Sequence, residues 1–137
     1  MLIEWNDSLL VGFEPMDDEH TSLVALINAL HAKLRAGGDR ATVETSLFAL
    51  ADHVASHFLH ENNLMATSGY PEREQHLLDH RVLIDQFDTL LDHFDLLTGD
   101  EITTALDFAD RWFIDHVKTH DAKLGEFLRA RAAAEAQ

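Results

Sequence analysis

Hydrophobic residues recur at intervals of three and four positions along most of the chain, which is the period of an α-helix rather than of a strand. In the first long segment this stripe is formed by Leu23, Ile27, Leu30 and Leu34. Short stretches rich in glycine, proline, serine and aspartate interrupt the pattern three times, as turns and helix caps do. The pattern therefore predicts four helices and an extended N-terminal arm. The arm is predicted over residues 1–16, and the helices at about 18–36, 41–67, 72–97 and 101–133.

Polar residues near these boundaries agree with the predicted helix starts. Asp17 lies where the helix dipole favours a negative charge, and Pro71 suits the first position of a helix. Asp39 and Asp100 are candidate N-caps. Four helices of about 30–45 Å, joined by short connections, are expected to pack antiparallel. The sequence therefore predicts an all-α fold, an antiparallel up-down-up-down four-helix bundle that occupies residues 1–137 as a single domain.

Composition narrows the class of protein. The 137 residues include no cysteine, which excludes disulfides, cysteine-ligated zinc and iron–sulfur clusters. The formal net charge of −15 would repel phosphate backbones, so no nucleic-acid partner is expected. No apolar run reaches the ~18 residues of a membrane span, and the N-terminus has neither the basic region nor the cleavage site of a signal peptide. We therefore expect a cytoplasmic protein without membrane insertion.

The 10 histidines carry the strongest chemical signal. Two of the predicted helices contain pairs spaced by four positions, His57 with Glu61 and His76 with His80. Residues four apart lie on one helix face, one turn apart, so each pair can hold a single site. A third pair, His116 and Asp121, is spaced by five positions. In a regular α-helix its two members lie roughly 140° apart around the axis, so Asp121 would have to reach the site from the side.

A lone histidine, His20, lies near the start of the first predicted helix. Counted from the end of the bundle that carries the loops 37–40 and 98–100, it and the six paired residues all lie about 15–21 positions away. At 1.5 Å per residue this places all seven in a slab about 9 Å deep. Five imidazoles and two carboxylates are too many ligands for one metal and suitable for two. Nitrogen and oxygen ligation without sulfur is consistent with a pair of non-haem irons.

In their order and spacing these residues resemble the hemerythrin family, in particular its single-domain bacterial members (bacteriohemerythrins). The resemblance covers nearly the whole chain, and the set of spacings is far more specific than any single pair. Flanking residues also take part in it. They are Trp5, Val11-Gly12-Phe13, Met16-Asp17-Asp18-Glu19, Phe58, Met65, Gly69-Tyr70 and Trp112.

The resemblance implies an oxo- or hydroxo-bridged di-iron centre with a defined set of ligands. One iron would be held by three histidines, which are His76, His80 and His116. The other iron would be held by two, which are His20 and His57. The carboxylates that bridge both irons would be Glu61 and Asp121. The iron with two histidines would keep an open position.

By the same resemblance, dioxygen binds reversibly at that open position, for oxygen carriage, storage or delivery, and the chain has no catalytic residue. Phe58, Phe113 and Val117 are candidates for an apolar dioxygen pocket. Three positions depart from the family pattern. Asn62 stands where an acidic residue is frequent, Leu124 where an aromatic residue is frequent, and Val117 where isoleucine is usual. None of these changes removes a ligand, so they concern pocket size and oxidation rate.

The remaining histidines lie outside the family pattern. His31 and His93 are only about four or five positions from the loop end of the bundle, so they are expected to be bystanders. His53, His60 and His120 lie nearer the level of the site. We expect these three to be non-ligands that are available for hydrogen bonds to the ligands.

Two other classes of function stay open from the residues alone. An oxygen or redox sensor would use the same site and act through a signalling protein, whereas a carrier needs only an oxygen recipient. An enzyme is the third class, because His120-Asp121 is an HD dipeptide of the kind found in metal-dependent phosphohydrolases, and a di-metal site can also handle peroxide. The Glu-x-x-His pairs of ferritin-like di-iron proteins do not occur in the sequence, which argues against that group.

Overall fold

The computed structural model describes residues 3–136, most of which are helical. The long helices are α1 (Glu14–Arg35), α2 (Arg40–Ser68), α3 (Arg73–Asp92), α4 (Gly99–His116) and α5 (Ala122–Glu135). A π-helical segment, Val117–Asp121, connects α4 to α5, and short 3₁₀ turns occupy Asp7–Leu9 and Phe94–Leu96. No strand occurs among residues 3–136, so the predicted all-α class is confirmed. Residues 1, 2 and 137 of the predicted arm and domain lie outside the described residues.

Helix α4, the π-helical segment and α5 form one continuous rod, because the residues at both junctions keep right-handed helical backbone angles. The rods pack in sequence order, α1 on α2, α2 on α3 and α3 on α4, and α4 also packs on α1. Consecutive rods joined by connections of a few residues run antiparallel. The predicted up-down-up-down four-helix bundle is therefore confirmed.

The N-terminal arm ends earlier than predicted. Helix α1 begins at Glu14 rather than at about 18, with Pro15 in its first turn, where the fixed φ and missing N–H of proline cost nothing. The Asp17 carboxylate accepts hydrogen bonds from the backbone N–H groups of Val11 and Gly12, at 2.8 and 3.2 Å. These bonds tie the end of the arm to the first turn of α1. The prediction of an arm that extends to residue 16 is therefore wrong.

The third helix is also shorter than predicted. Helix α3 ends at Asp92 and not near 97, and a separate 3₁₀ turn places the Phe94 side chain in the core. The Arg40 guanidinium donates hydrogen bonds to the backbone carbonyls of Phe94 and Leu97, at 2.6 and 2.8 Å. These carbonyls belong to the 3₁₀ turn and to the residue after it, so the contact fixes the turn that follows α3 against the start of α2.

Local cap chemistry accounts for the other boundaries. Asp39 accepts a hydrogen bond from the first turn of α2, as predicted for an N-cap. Gly69 ends α2 with a φ of 70°, a region that glycine enters without strain. Thr98, and not the predicted Asp100, caps α4, in a reciprocal pair of hydrogen bonds with Glu101. The fourth rod therefore starts at residue 99, two positions before the predicted start.

Apolar side chains fill the half of the bundle next to the loops 36–39 and 93–98. Its fully buried members include Leu23, Leu30, Leu47, Leu50, Ile102 and Leu106. Farther along the rods comes a layer of buried histidine, glutamate and aspartate, and beyond it lie further buried apolar residues such as Met16, Met65 and Leu124. None of the helices in residues 3–136 combines the length and the apolar character needed to cross a membrane.

Candidate metal centre

The structure brings the seven candidate ligands together inside the bundle, and each of them is at most 2% exposed. Their ligand atoms form two groups in which all atoms lie within 4.8 Å of one another. The first group consists of Glu61, His76, His80, His116 and Asp121. The second group consists of His20, His57, Glu61 and Asp121. One group thus contains three histidines, the other contains two, and both groups include the same two carboxylates.

The Glu61 carboxylate lies between the two groups, with one oxygen toward each. Its Oε1 is 3.1 and 3.0 Å from the Nε2 atoms of His76 and His80. Its Oε2 is 2.7 and 3.4 Å from the Nε2 atoms of His57 and His20. Helix α2 presents His57 and Glu61 one turn apart on the same face. On that face the Glu61 carboxylate meets histidines of the other three rods.

The Asp121 carboxylate divides its two oxygens in the same way. Its Oδ1 is 3.1 and 3.0 Å from the Nε2 atoms of His76 and His116, and its Oδ2 is 2.9 Å from Nε2 of His20. Asp121 does not reach the site from the side of a regular helix, as the sequence suggested. Residues 117–121 are π-helical, and hydrogen bonds of the i→i+5 type widen the turn so that positions five apart face the same way. His116 and Asp121 therefore point together into the bundle.

The outer nitrogens of three of these histidines meet polar groups that the sequence pattern did not single out as partners. Nδ1 of His116 lies 2.5 Å from Oδ2 of Asp79, and Nδ1 of His80 lies 3.2 Å from Oδ1 of Asn62. Nδ1 of His57 lies 3.4 Å from Oε1 of Glu19. Glu19 and Asp79 each directly precede a candidate ligand in the sequence, and this adjacency is the one signal that could have identified them.

The charges of the site are set by competition between burial and hydrogen bonding. Burial by itself would raise the pKa of the Glu61 carboxyl, but the surrounding imidazoles of His116, His20 and other histidines outweigh it and hold that pKa well below its usual range. The Asp121 carboxyl also has a lowered pKa, since nearby imidazoles outweigh burial and the charge of Glu61. Burial lowers the pKa of His80 to about 4. Both buried carboxylates are therefore anionic, which suits a site for cations.

Protein groups alone do not satisfy the hydrogen-bonding capacity of this site. Several buried side-chain atoms lie close to other polar atoms of the site but make no hydrogen bond of acceptable geometry with the described residues. They are both ring nitrogens of His20 and His57, Nδ1 of His76, Oε2 of Glu61 and both carboxylate oxygens of Asp121. Buried polar atoms without partners are costly, and a metal ion would coordinate most of these. Imidazole and carboxylate donors without sulfur fit iron, so the residues present are suitable for the di-iron centre that the resemblance implies.

Aromatic rings form part of the wall around the site. Phe58 stacks on His80 with ring centroids 3.8 Å apart and an interplanar angle of 6°. Phe113 meets His20 edge-on at 5.7 Å. Val117, the third candidate for the dioxygen pocket, is 1% exposed and is the first residue of the π-helical segment. All three residues are buried at the level of the site.

The other five histidines lie outside both groups. His31 is buried, with Nε2 2.6 Å from Oδ2 of Asp110, in a separate cluster that also includes Asp107. His93 is exposed and donates a hydrogen bond from Nδ1 to a backbone carbonyl in its own turn. His53 is half-buried. The other two contact outer carboxylates: His60 lies 2.8 Å from Glu19, and His120 lies 3.7 Å from Asp79.

Comparisons with known proteins agree with this geometry. The family described as "Hemerythrin HHE cation binding domain" matches residues 11–128. The chain is 28% identical over 130 residues to a bacteriohemerythrin of Stenotrophomonas maltophilia, covering 94% of this chain and 83% of that protein. It is 30% identical over 127 residues to a bacteriohemerythrin of Pseudomonas paraeruginosa, covering 91% of this chain and 80% of the relative.

A solved structure has the same fold. The crystal structure described as wild-type hemerythrin superposes with a TM-score of 0.83 at 26% sequence identity, and the match covers 93% of this chain and 98% of that one. The same family is indicated by the fold, by the order of the buried histidines and carboxylates, and by sequence similarity over most of the chain. The chain belongs to the hemerythrin family.

Proposed function

We propose that this protein binds dioxygen reversibly at a non-haem di-iron centre and serves in oxygen carriage, storage or delivery. One observation carries the proposal. Two groups of buried candidate ligands share the same two carboxylates, and one adds three histidines while the other adds two different ones. Such a site suits two metal ions with unequal numbers of protein ligands, and the ion with fewer is the one open to an added ligand.

The proposed ligands follow the two groups. His76, His80 and His116 would hold one iron. His20 and His57 would hold the other. Glu61 and Asp121 would bridge the pair, since each directs one oxygen toward each group. When bound, a pair of ferrous ions supplies two reducing equivalents and an open coordination position for dioxygen.

The surrounding residues support binding rather than turnover. Phe58, Phe113 and Val117 are each at most 3% exposed, so the proposed pocket is dry and apolar. Exclusion of water slows the loss of a polar product from such a site and so favours reversibility. His120 contacts Asp79 and belongs to neither ligand group, so His120 and Asp121 do not act as adjacent ligands as an HD phosphohydrolase would require.

Metal analysis combined with an optical spectrum tests the proposal. The full chain is loaded with ferrous iron without oxygen, and spectra are recorded before air, after air and after renewed deoxygenation. We expect two irons per chain and charge-transfer bands that appear with air and fade without it. Iron that oxidises at once and irreversibly would contradict reversible binding and favour redox sensing or peroxide handling. A colourless protein that binds another metal and cleaves phosphoesters would contradict the proposal altogether.

Matched histidine variants test the ligand assignment. His57→Ala is expected to lose iron and the optical response, because it removes half of the histidines of the second group. His93→Ala is the control, since this histidine is exposed, hydrogen-bonds a carbonyl in its own turn and belongs to neither ligand group. Full iron content in His57→Ala would contradict the assignment.

A further inference from the structure

The imidazole of His116 contacts a carboxylate through its outer nitrogen and stacks with rings from the preceding and the following helical turn. Its Nδ1 lies 2.5 Å from the Asp79 carboxylate. Trp112, four positions earlier, stacks on it with centroids 4.5 Å apart and an interplanar angle of 11°. His120, four positions later, stacks at 5.4 Å and 23°. These contacts leave the ring little freedom to rotate about either side-chain torsion.

The hydrogen bond to Asp79 also decides which ring nitrogen faces the site. An ionised carboxylate can only accept a hydrogen bond, so Nδ1 of His116 must carry the proton. In the neutral ring, Nε2 then presents its lone pair, and this atom lies 3.0 Å from Oδ1 of Asp121 and 3.1 Å from Nε2 of His80. Nε2 is therefore the nitrogen that is oriented and available to bind a cation in the three-histidine group.

No other candidate ligand in the described part of the chain has an outer hydrogen bond of this strength. His80 meets the neutral amide oxygen of Asn62 at 3.2 Å. Glu19 lies 3.4 Å from His57 and makes its shorter contact, 2.8 Å, with the exposed His60. Hydrogen bonds to a charged group are shorter and roughly twice as strong as those between neutral groups. The carboxylate of Asp79 is thus directed at one ligand of one group.

We propose that Asp79 is a positioning residue that holds His116 with Nδ1 protonated and Nε2 toward the centre, and thereby sets the cation affinity of the three-histidine group. The proposal relies on the proposed function only for the identity of the metal, because any imidazole-binding cation reports on it. Removing such an outer partner typically lowers metal affinity 10–100-fold. The loss should be confined to one of the two cation sites.

The experiment compares Asp79→Asn and Asp79→Ala with the matched control Asp85→Asn, which changes an exposed carboxylate on the same helix. Zn²⁺ is titrated into each full-length variant in competition with a chelator of known affinity. In Asp79→Ala we expect fewer tightly bound Zn²⁺ ions per chain, because the dissociation constant of one site should rise about 10–100-fold. Asp79→Asn should be intermediate, since its amide oxygen can still accept the hydrogen bond, and Asp85→Asn should match the unmodified protein.

A second readout separates positioning from a general loss of stability. In ¹H–¹⁵N spectra of the Zn²⁺-loaded protein, we expect a slowly exchanging Nδ1–H signal of His116. The signal should persist in Asp79→Asn and be lost in Asp79→Ala. If Asp79→Ala does not fold, the proposal is tested by comparing Asp79→Asn with the unmodified protein in both the Zn²⁺ titration and the ¹H–¹⁵N spectrum. An Nε2-protonated His116 in the unmodified protein, or equal affinities in all variants, would overturn the proposal.

The outcome is distinguishable from failure of the proposed function. Zn²⁺ results as expected, together with a ferrous protein that does not bind dioxygen reversibly, would refute the oxygen-binding function and leave the positioning role established. Unchanged Zn²⁺ affinity in Asp79→Ala, together with reversible oxygen binding, would refute the positioning role alone.

Discussion

Metal loading is expected to raise the melting temperature of this protein by about 10 °C. The magnitude follows from the buried atoms that have no hydrogen-bond partner among the described residues, which include atoms of His20, His57, Glu61 and Asp121. Each such atom costs about 1–3 kcal/mol, so coordinating only four of them gives about 4 kcal/mol at the lower limit. For a domain of about 150 residues, 1 kcal/mol changes the melting temperature by about 2–4 °C. A rise of about 10 °C follows.

Differential scanning calorimetry on metal-free and ferrous-loaded protein, kept without oxygen, measures this rise. His57→Ala should show a much smaller rise, because its second group keeps only one histidine. His93→Ala should show the full rise, because this exposed side chain belongs to neither ligand group. Equal melting temperatures with and without metal, within about 2 °C, would refute the reasoning that the unpartnered buried atoms are metal ligands.

Three further predictions concern the frame around the site. His31→Ala should lower the free energy of unfolding by about 1–3 kcal/mol in urea titrations, because it removes a hydrogen-bond partner 2.6 Å from buried Asp110, while iron content stays unchanged. Loss of iron would place His31 in the site after all. Gly125→Ala would bring a methyl group within 2.6 Å of the Val11 carbonyl and should cost about 1–3 kcal/mol in the same assay. An unaffected stability would show that the arm is not fixed against α5. Thr98→Ala should cost about 1 kcal/mol, since it removes the N-cap of α4, and thermal melting followed by circular dichroism checks this value.

Much of the fold could be predicted because its determinants are local. A stripe such as Leu23, Ile27 and Leu30 must lie on one helix face, and each such face must be buried against another helix. Turn residues separate the stripes, so four antiparallel rods follow without any knowledge of distant contacts. The errors lie at the ends, where distant residues decide. The turn that follows α3, for example, is bonded by Arg40, which lies more than fifty positions away in the sequence.

The candidate ligands were also predictable from spacing. His57 with Glu61 and His76 with His80 form i, i+4 pairs, and the lengths of the predicted helices place the pairs at one level. The structure brings the predicted residues within 4.8 Å of one another in two overlapping groups. Their roles as iron ligands and the identity of the dioxygen pocket remain predictions.

Two features of the site depended on tertiary structure. A five-residue spacing does not by itself indicate a π-helical turn, and the widened segment that turns Asp121 toward the site forms where the fourth rod meets the histidines of the other three. Similarly, the sequence places Asp79 beside His80, but its carboxylate bonds His116 on another rod. Helical period and cap chemistry are properties of neighbouring residues and are determined by the sequence alone. The pairing of a polar group with a partner on another rod depends on rotation and depth of both helices, which only the packed bundle decides.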